Sequence, residues 1–216
     1  MGTRKPGTVV RRSSGNHAWS FGGPWGLTVG TYADTMTPMQ YLALLRGINV
    51  GGRTMLMADL RASFKEMGFR DATTVLQTGN VIFTSESSVA TLKGMIEAGL
   101  HQRFDYPARV QVYRMSKVQE IVEASPFDGD DAERHSYVVF FEEGRERSLI
   151  AEVAGLDASV ERIALGDGVI FWQVSKGSTL HSGFAKYLSN ARYRHLHTNR
   201  NINTLRKIVR AEPSSD

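Results

Sequence analysis

The 216-residue chain contains no cysteine. That absence excludes thiol nucleophiles, disulfides and cysteine-bound metal, although it does not fix the compartment. Long apolar runs are also missing: the longest, such as 41–45 and 137–141, are five residues, against about 20 for a membrane helix. Arg11 and Arg12 resemble a twin-arginine export signal, but no apolar segment follows them. The cytoplasm is therefore the expected location, with no membrane partner. No serine sits in a G-x-S-x-G elbow, so a hydrolase triad has no support. His195 and His197 would share one face of a strand, but without a nearby third ligand they are a weak metal signal. The acidic run at 128–131 lacks calcium-loop spacing and reads as a solvated loop. No metal is expected, no cofactor can be named, and Glu142-Glu143 reads as a solvated turn rather than an acid/base pair.

What is present is charge, unevenly placed. The net charge is +4, but residues 1–38 hold four basic residues and one acid, and residues 186–216 hold seven and two. The middle, 39–185, carries 15 basic and 19 acidic residues. A basic C-terminal stretch beside an acidic body points to a local anion site rather than to a large nucleic-acid footprint. Seven of the 21 glycines fall in the first 38 residues, among Ser, Thr and Pro with no apolar period. That segment is expected to be a disordered extension or a misassigned start, with Met36 or Met39 as alternative starts.

From residue 39 the pattern is regular. Residues 40–45 read as a strand, and Met57, Leu60, Phe64 and Met67 mark one helical face closed by Gly68. Strands are expected at 73–77 and 81–84 about a Thr-Gly-Asn turn, a helix on Val89, Leu92, Ile96 and Leu100, and a strand at 109–113. The order β-α-β-β-α-β is that of ferredoxin-like domains. A linking helix (116–124) and a loop (125–133) follow, and then the pattern restarts. Strands at 136–141, 160–165, 169–174 and 194–197 alternate with helices at 148–154 and 182–188, and a helix at 202–209 closes the chain. Similar stretches, GNVIFT (79–84) and DGVIFW (167–172), occupy comparable points of the two halves. The expected fold class is α+β, two ferredoxin-like subdomains in tandem with antiparallel or mixed sheets. The expected divisions are 39–115, a linker at 116–134, 135–210 ending in a basic helix, and a tail at 211–216.

The stretch LLRGINVGGRT (44–54) lies one residue from the phosphate loop G-x-x-x-x-G-K-[ST]. Arg53 is a planar fork and does not replace the compact lysine charge. The short turn after the second strand also forces an antiparallel pair, where a mononucleotide unit needs a parallel crossover. A purely structural turn, with Gly47, Gly51 and Gly52 at positive φ, is the bland alternative. The favoured reading is an anion or polar-ligand site built by loop amides with Arg46 as a bidentate partner. A second segment, TNRNINT (198–204), supports it. Capping of the last helix needs one short polar residue, Thr198 or Asn201, yet this segment holds several.

These segments resemble the DUF1697 family, largely bacterial and of unknown function. The matching stretches are LLRGINVGG (44–52), MADLR (57–61) with Gly68-Phe69, QTGNVIF (77–83), Pro126-Phe127, SKG (175–177) and the TxRNxNT pattern of 198–204. The resemblance covers 39 to about 210. It implies paired ferredoxin-like subdomains and no established reaction, and it adds Lys176 to the candidate site.

The leading expectation is a protein that binds a small anionic or polar ligand. Arg46, Gly47, Asn49, Gly51 and Gly52 would form one wall, and Gln77 and Asn80 would adjoin it. Thr198, Arg200, Asn201, Asn203 and Thr204 would close the cleft, so Arg46 and Asn203 should face the same space. The alternative is RNA binding through sheet aromatics (Phe83, Tyr113, Phe171 or Trp172) and the basic C-terminal stretch, with the recognition consensus for such domains absent. Sheets pairing with a partner or with themselves are a third possibility; the sequence leaves the oligomeric state open.

Overall fold

In the computed structural model, the described residues are 37–48, 55–105, 107–142 and 144–211. The N-terminal extension, Asn49, Gly51 and Gly52 lie outside them, so those expectations are not addressed by the structure.

The first half runs β1 (Met39–Arg46), α1 (Met57–Glu66), β2 (Arg70–Thr74), β3 (Asn80–Ser85), α2 (Val89–Phe104) and β4 (Arg109–Arg114). After α3 (Met115–Glu123) come β5 (Arg134–Phe141), α4 (Arg145–Glu152), β6 (Glu161–Leu165), β7 (Val169–Ser175), α5 (Gly183–Ser189) and β8 (His197–Asn201). The closing helix is α6 (Ile202–Arg210). The sheets are ordered β2-β3-β1-β4 and β6-β7-β5-β8, and every pairing is antiparallel. Each half therefore has the βαββαβ order and strand arrangement of a ferredoxin-like unit. The antiparallel neighbours of β1 also rule against a mononucleotide-binding unit.

The apolar runs are strands buried on both faces. Along β1, Tyr41, Ala43 and Leu45 pack with Leu60, Phe64, Leu92 and Ile96 of α1 and α2. The alternating Leu42 and Leu44 join Val138, Phe140, Val169 and Phe171 of the other sheet, closed by Val118, Ile121, Leu205 and Ile208 from α3 and α6. The far side of the second sheet, through Val139, Ile170 and Trp172, packs on Leu149, Phe184 and Leu188 of α4 and α5. Two sheets thus share a central apolar core, with a helical layer on the outer face of each. Filling such a site with a leucine side chain stabilises by about 1.5–3 kcal/mol.

This layering removes the sheet-face route to RNA. Phe83, Phe171 and Trp172 are at most 3% exposed, and Tyr113 packs against Phe140 with ring centroids 5.0 Å apart. Two element boundaries also differ from the sequence reading. Residues 75–77 leave the strand because Leu76 takes a left-handed φ of 57°, and Asn80 Nδ2 donates to the Val75 carbonyl at 2.9 Å. Residues 194–196 form turns instead of a strand, with Arg194 N–H on Asn190 O and Leu196 N–H on Tyr193 O, both 2.9 Å. His195 therefore lies in a turn and only His197 opens β8, so the two histidines do not share a strand face. Among the described residues no helix is long and apolar enough to cross a membrane.

Candidate functional site

The last residues of β1 and the first of β8 come together at the edge of the shared core. Leu45, Arg46, Gly47 and Ile48 form one side of an open cleft of ≈ 400 Å³. Gln77 and Thr78 of the β2–β3 turn form another, and residues 197–200 of β8 the third. Gly47 adopts a φ of 69°, a left-handed conformation that turns the chain sharply out of β1 and suits glycine. Larger grooves do exist. The one along α1 encloses ≈ 490 Å³ beside Arg61 and Lys65, but there Arg61 already donates to Thr74 Oγ1 at 2.8 Å.

Beneath the cleft lies Arg200, 9% exposed. Its Nε donates to Asn80 Oδ1 at 2.5 Å. Nη1 donates to Thr198 Oγ1 and Asn199 O, both 2.8 Å, and Nη2 to Leu45 O at 2.9 Å and Gly79 O at 3.5 Å. The acceptors are all neutral oxygens; among the described residues no carboxylate partners this guanidinium. Burial lowers its pKa to about 10, so it stays charged near neutrality. Arg200 clasps the second sheet to the end of β1 and the β2–β3 turn. It leaves an uncompensated positive charge under the cleft floor. Its fork is fully engaged, so it acts on the cleft through its field and through Thr198. That hydroxyl accepts from Nη1 and keeps its own proton to donate.

Asn80 is fully buried and belongs to this support. Its Nδ2 donates to Val75 O and to Thr78 Oγ1 at 2.9 and 2.8 Å, while its Oδ1 receives Arg200. Asn80 shapes the turn that carries Gln77 and does not line the cleft.

The second half of the 198–204 segment serves elsewhere. Asn201 caps α6, its Oδ1 accepting from Asn203 N–H at 2.9 Å. Asn203 Nδ2 donates to Gly129 O at 2.8 Å and to Asp130 Oδ1 at 3.3 Å, and Arg206 reaches Asp130 at 3.5 Å. A Cβ on Gly129 would sit 2.5 Å from Asn203 Oδ1, so glycine lets the loop approach this closely. The acidic run keeps Asp128 and Asp130 exposed, as expected of a solvated loop, while its backbone at Gly129 is docked on α6. Thr204 lies in the first turn of α6 and is not part of the cleft lining. Lys176 donates through Nζ to Ala132 O and closes the same loop from β7. The expectation that Arg46 and Asn203 face one space is not met: Asn203 does not line the cleft, because β8 runs from His197 at one end to α6 at the other.

His197 was missed as a cleft residue because it reads most readily as half of a histidine pair. Its place directly before the polar segment was the available signal. Its ring lies 5.8 Å from that of Phe141. Its Nδ1 is 3.0 Å from Tyr193 O, a carbonyl that can only accept. Burial lowers its pKa, the Tyr193 carbonyl opposes that, and the charge of Arg46 lowers it further.

Fold and site together define a tandem ferredoxin-like α+β protein with a positively polarised cleft at the edge of its shared core. The chain belongs to the family described as "Protein of unknown function (DUF1697)", whose model matches residues 39–171. Among solved structures it is similar to the conserved bacterial protein SP0830 from Streptococcus pneumoniae. The two are 29% identical with a TM-score of 0.67, over 80% of this chain and 97% of that one. Comparison with curated proteins gives no match.

Proposed function

We propose that the protein binds a small ligand bearing an oxyanion in the cleft between the end of β1 and the start of β8. The observation that carries this reading is the buried Arg200 charge, satisfied by five neutral oxygens and neutralised by none. A fixed cation in a low-dielectric setting favours an anion above it more strongly than it would in water. Arg46 and Gln77 line the rim of the cleft, an arginine being the side chain best suited to an oxyanion, and the Thr198 hydroxyl can donate. The volume of ≈ 400 Å³ suits a small molecule.

A thermal-shift screen of small anions and anionic metabolites on the full chain, repeated with Arg46→Ala, tests it. At a 100-fold excess over Kd a binder stabilises by about 2.7 kcal/mol, and the variant should lose that stabilisation. A screen in which no anion raises the unfolding temperature, or in which Arg46→Ala responds equally, would overturn the reading.

A further inference from the structure

β2 and β4 border the first sheet, β6 and β8 the second, and three of these four edges are guarded by the chain itself. On β4 the outward Val110 N–H is taken by Glu97 Oε1 of α2 at 3.1 Å. On β8 the outward Asn199 carbonyl is taken by Arg200 Nη1 at 2.8 Å. On β2 the left-handed Asp71, with φ of 55°, breaks the register between Arg70 and Thr73. Bulges, charges and covering groups are the usual protection of a strand edge against pairing with another chain.

β6 has no such guard. Its residues Glu161–Leu165 pair with β7 without a break in register. The Gly166 N–H bonds Val169 O and the Ser175 N–H bonds Val160 O, both at 2.9 Å. Alternation along the ladder then turns the backbone of Arg162 and Ala164 toward β7, and that of Glu161, Ile163 and Leu165 outward. The Glu161 N–H is used by Asp157 O at 2.9 Å. Among the described residues nothing bonds the Glu161 carbonyl or the outward backbone of Ile163 and Leu165.

We infer that β6 is a self-association edge, on which β6 of a second copy pairs antiparallel about a two-fold axis at Ile163. An outward residue can exchange bonds only with another outward residue, and centring on Ile163 engages the most of them. The two Ile163 residues then exchange both N–H···O bonds, and each Leu165 N–H reaches the Glu161 carbonyl of the other copy. The side chains fit that register. Ile163 faces its own copy, and Leu165, 42% exposed, faces Glu161. The Glu161 carboxylate is turned away, accepting from Trp172 Nε1 at 2.9 Å and Phe184 N–H at 3.0 Å. On the other face Arg162 meets Ala164 and no like charge, and its guanidinium is drawn back to Gln173 Oε1 and the Phe127 ring. A second copy is favoured over a foreign strand because its outward groups match this edge residue by residue. So short an edge belongs with interfaces below about 1,200 Å², which associate weakly, so the dimer should come apart on dilution.

Sedimentation velocity of the full chain from micromolar to submillimolar concentration tests this. The mass should rise toward that of two chains. Leu165→Lys sets a charge on the edge and should hold the mass at one chain throughout. Ile163→Pro removes the central outward N–H, leaves the bonds to β7 in place and should do the same; if it fails to fold, Leu165→Lys decides alone. The chain has no cysteine, so Ile163→Cys under mild oxidation should give a disulfide-linked dimer, and Arg70→Cys on the bulged β2 edge should not. A mass of one chain at every concentration would overturn the inference. So would a dimer that survives Leu165→Lys, or one that Arg70→Cys links as readily as Ile163→Cys.

Discussion

The two ferredoxin-like halves place the same kind of turn at the same point, and use it differently. Before β3 the turn is Thr78-Gly79-Asn80; before β7 it is Gly166-Asp167-Gly168. Gly79 and Gly168 share a left-handed backbone, with φ of 74° and 76°. A Cβ on Gly79 would lie 2.7 Å from Ile48 Cδ1 and 3.1 Å from Leu45 Cβ, whereas one on Gly168 would meet nothing within 4 Å. Asn80 is buried and receives Arg200 across the two sheets, whereas Asp167 is exposed and pairs with Lys117 at 2.5 Å. Repetition of a topology sets where the turns fall. The long-range arrival of Arg200 makes one of them part of a site.

The largest expected break in this comparison is Arg200→Ala. It strands the buried Leu45 carbonyl and Asn80 Oδ1, while Gly79 O keeps the Leu45 N–H at 2.8 Å, and should lower stability by about 3 kcal/mol or more in urea unfolding. Arg200→Lys keeps the charge without the five-donor fork and should lose somewhat less. A cost under about 1 kcal/mol for Arg200→Ala would mean the clasp is not what joins the halves.

A smaller and sharper contrast lies in the glycines. Gly168→Ala incurs only the left-handed backbone penalty of about 1–2 kcal/mol. Gly79→Ala adds overlap with Ile48 and Leu45 and should cost about 1 kcal/mol more. Equal midpoint shifts for the two variants would show that the β1 end yields freely, and the distinction between the turns would fall.

The sequence was most readable where local chemistry decides the outcome. The five-residue apolar run of β1 and the 3-4-3 spacing of Met57, Leu60, Phe64 and Met67 mark a strand and a helix without tertiary help. What the apolar run does not reveal is that Leu42 and Leu44 face a second sheet, because continuous hydrophobicity says only that both faces are covered. The strand at 197–201 was hidden by its polarity. Thr198 and Arg200 point inward; Arg200 is satisfied by groups more than a hundred residues away, Asn80 and Leu45, and Thr198 by Arg200 itself. Part of the cleft was legible from residue type, in Arg46, Gly47, Gln77 and Thr198. Asn203 and Lys176 have equally suggestive side chains, yet both are engaged by carbonyls of the loop between α3 and β5. An asparagine that pins a loop and one that holds a ligand look alike until the chain is folded.

The central claim is that an anion sits where β1 ends and β8 begins, and amide NMR shifts of the full chain titrated with inorganic phosphate at pH 8 test it most directly. The account predicts saturable shifts at Gly47, Gln77, Thr198 and Asn199 that follow one binding curve and vanish in Arg46→Ala. Shifts that instead cluster along α1 around Arg61 and Lys65, with the cleft amides unmoved, would contradict it.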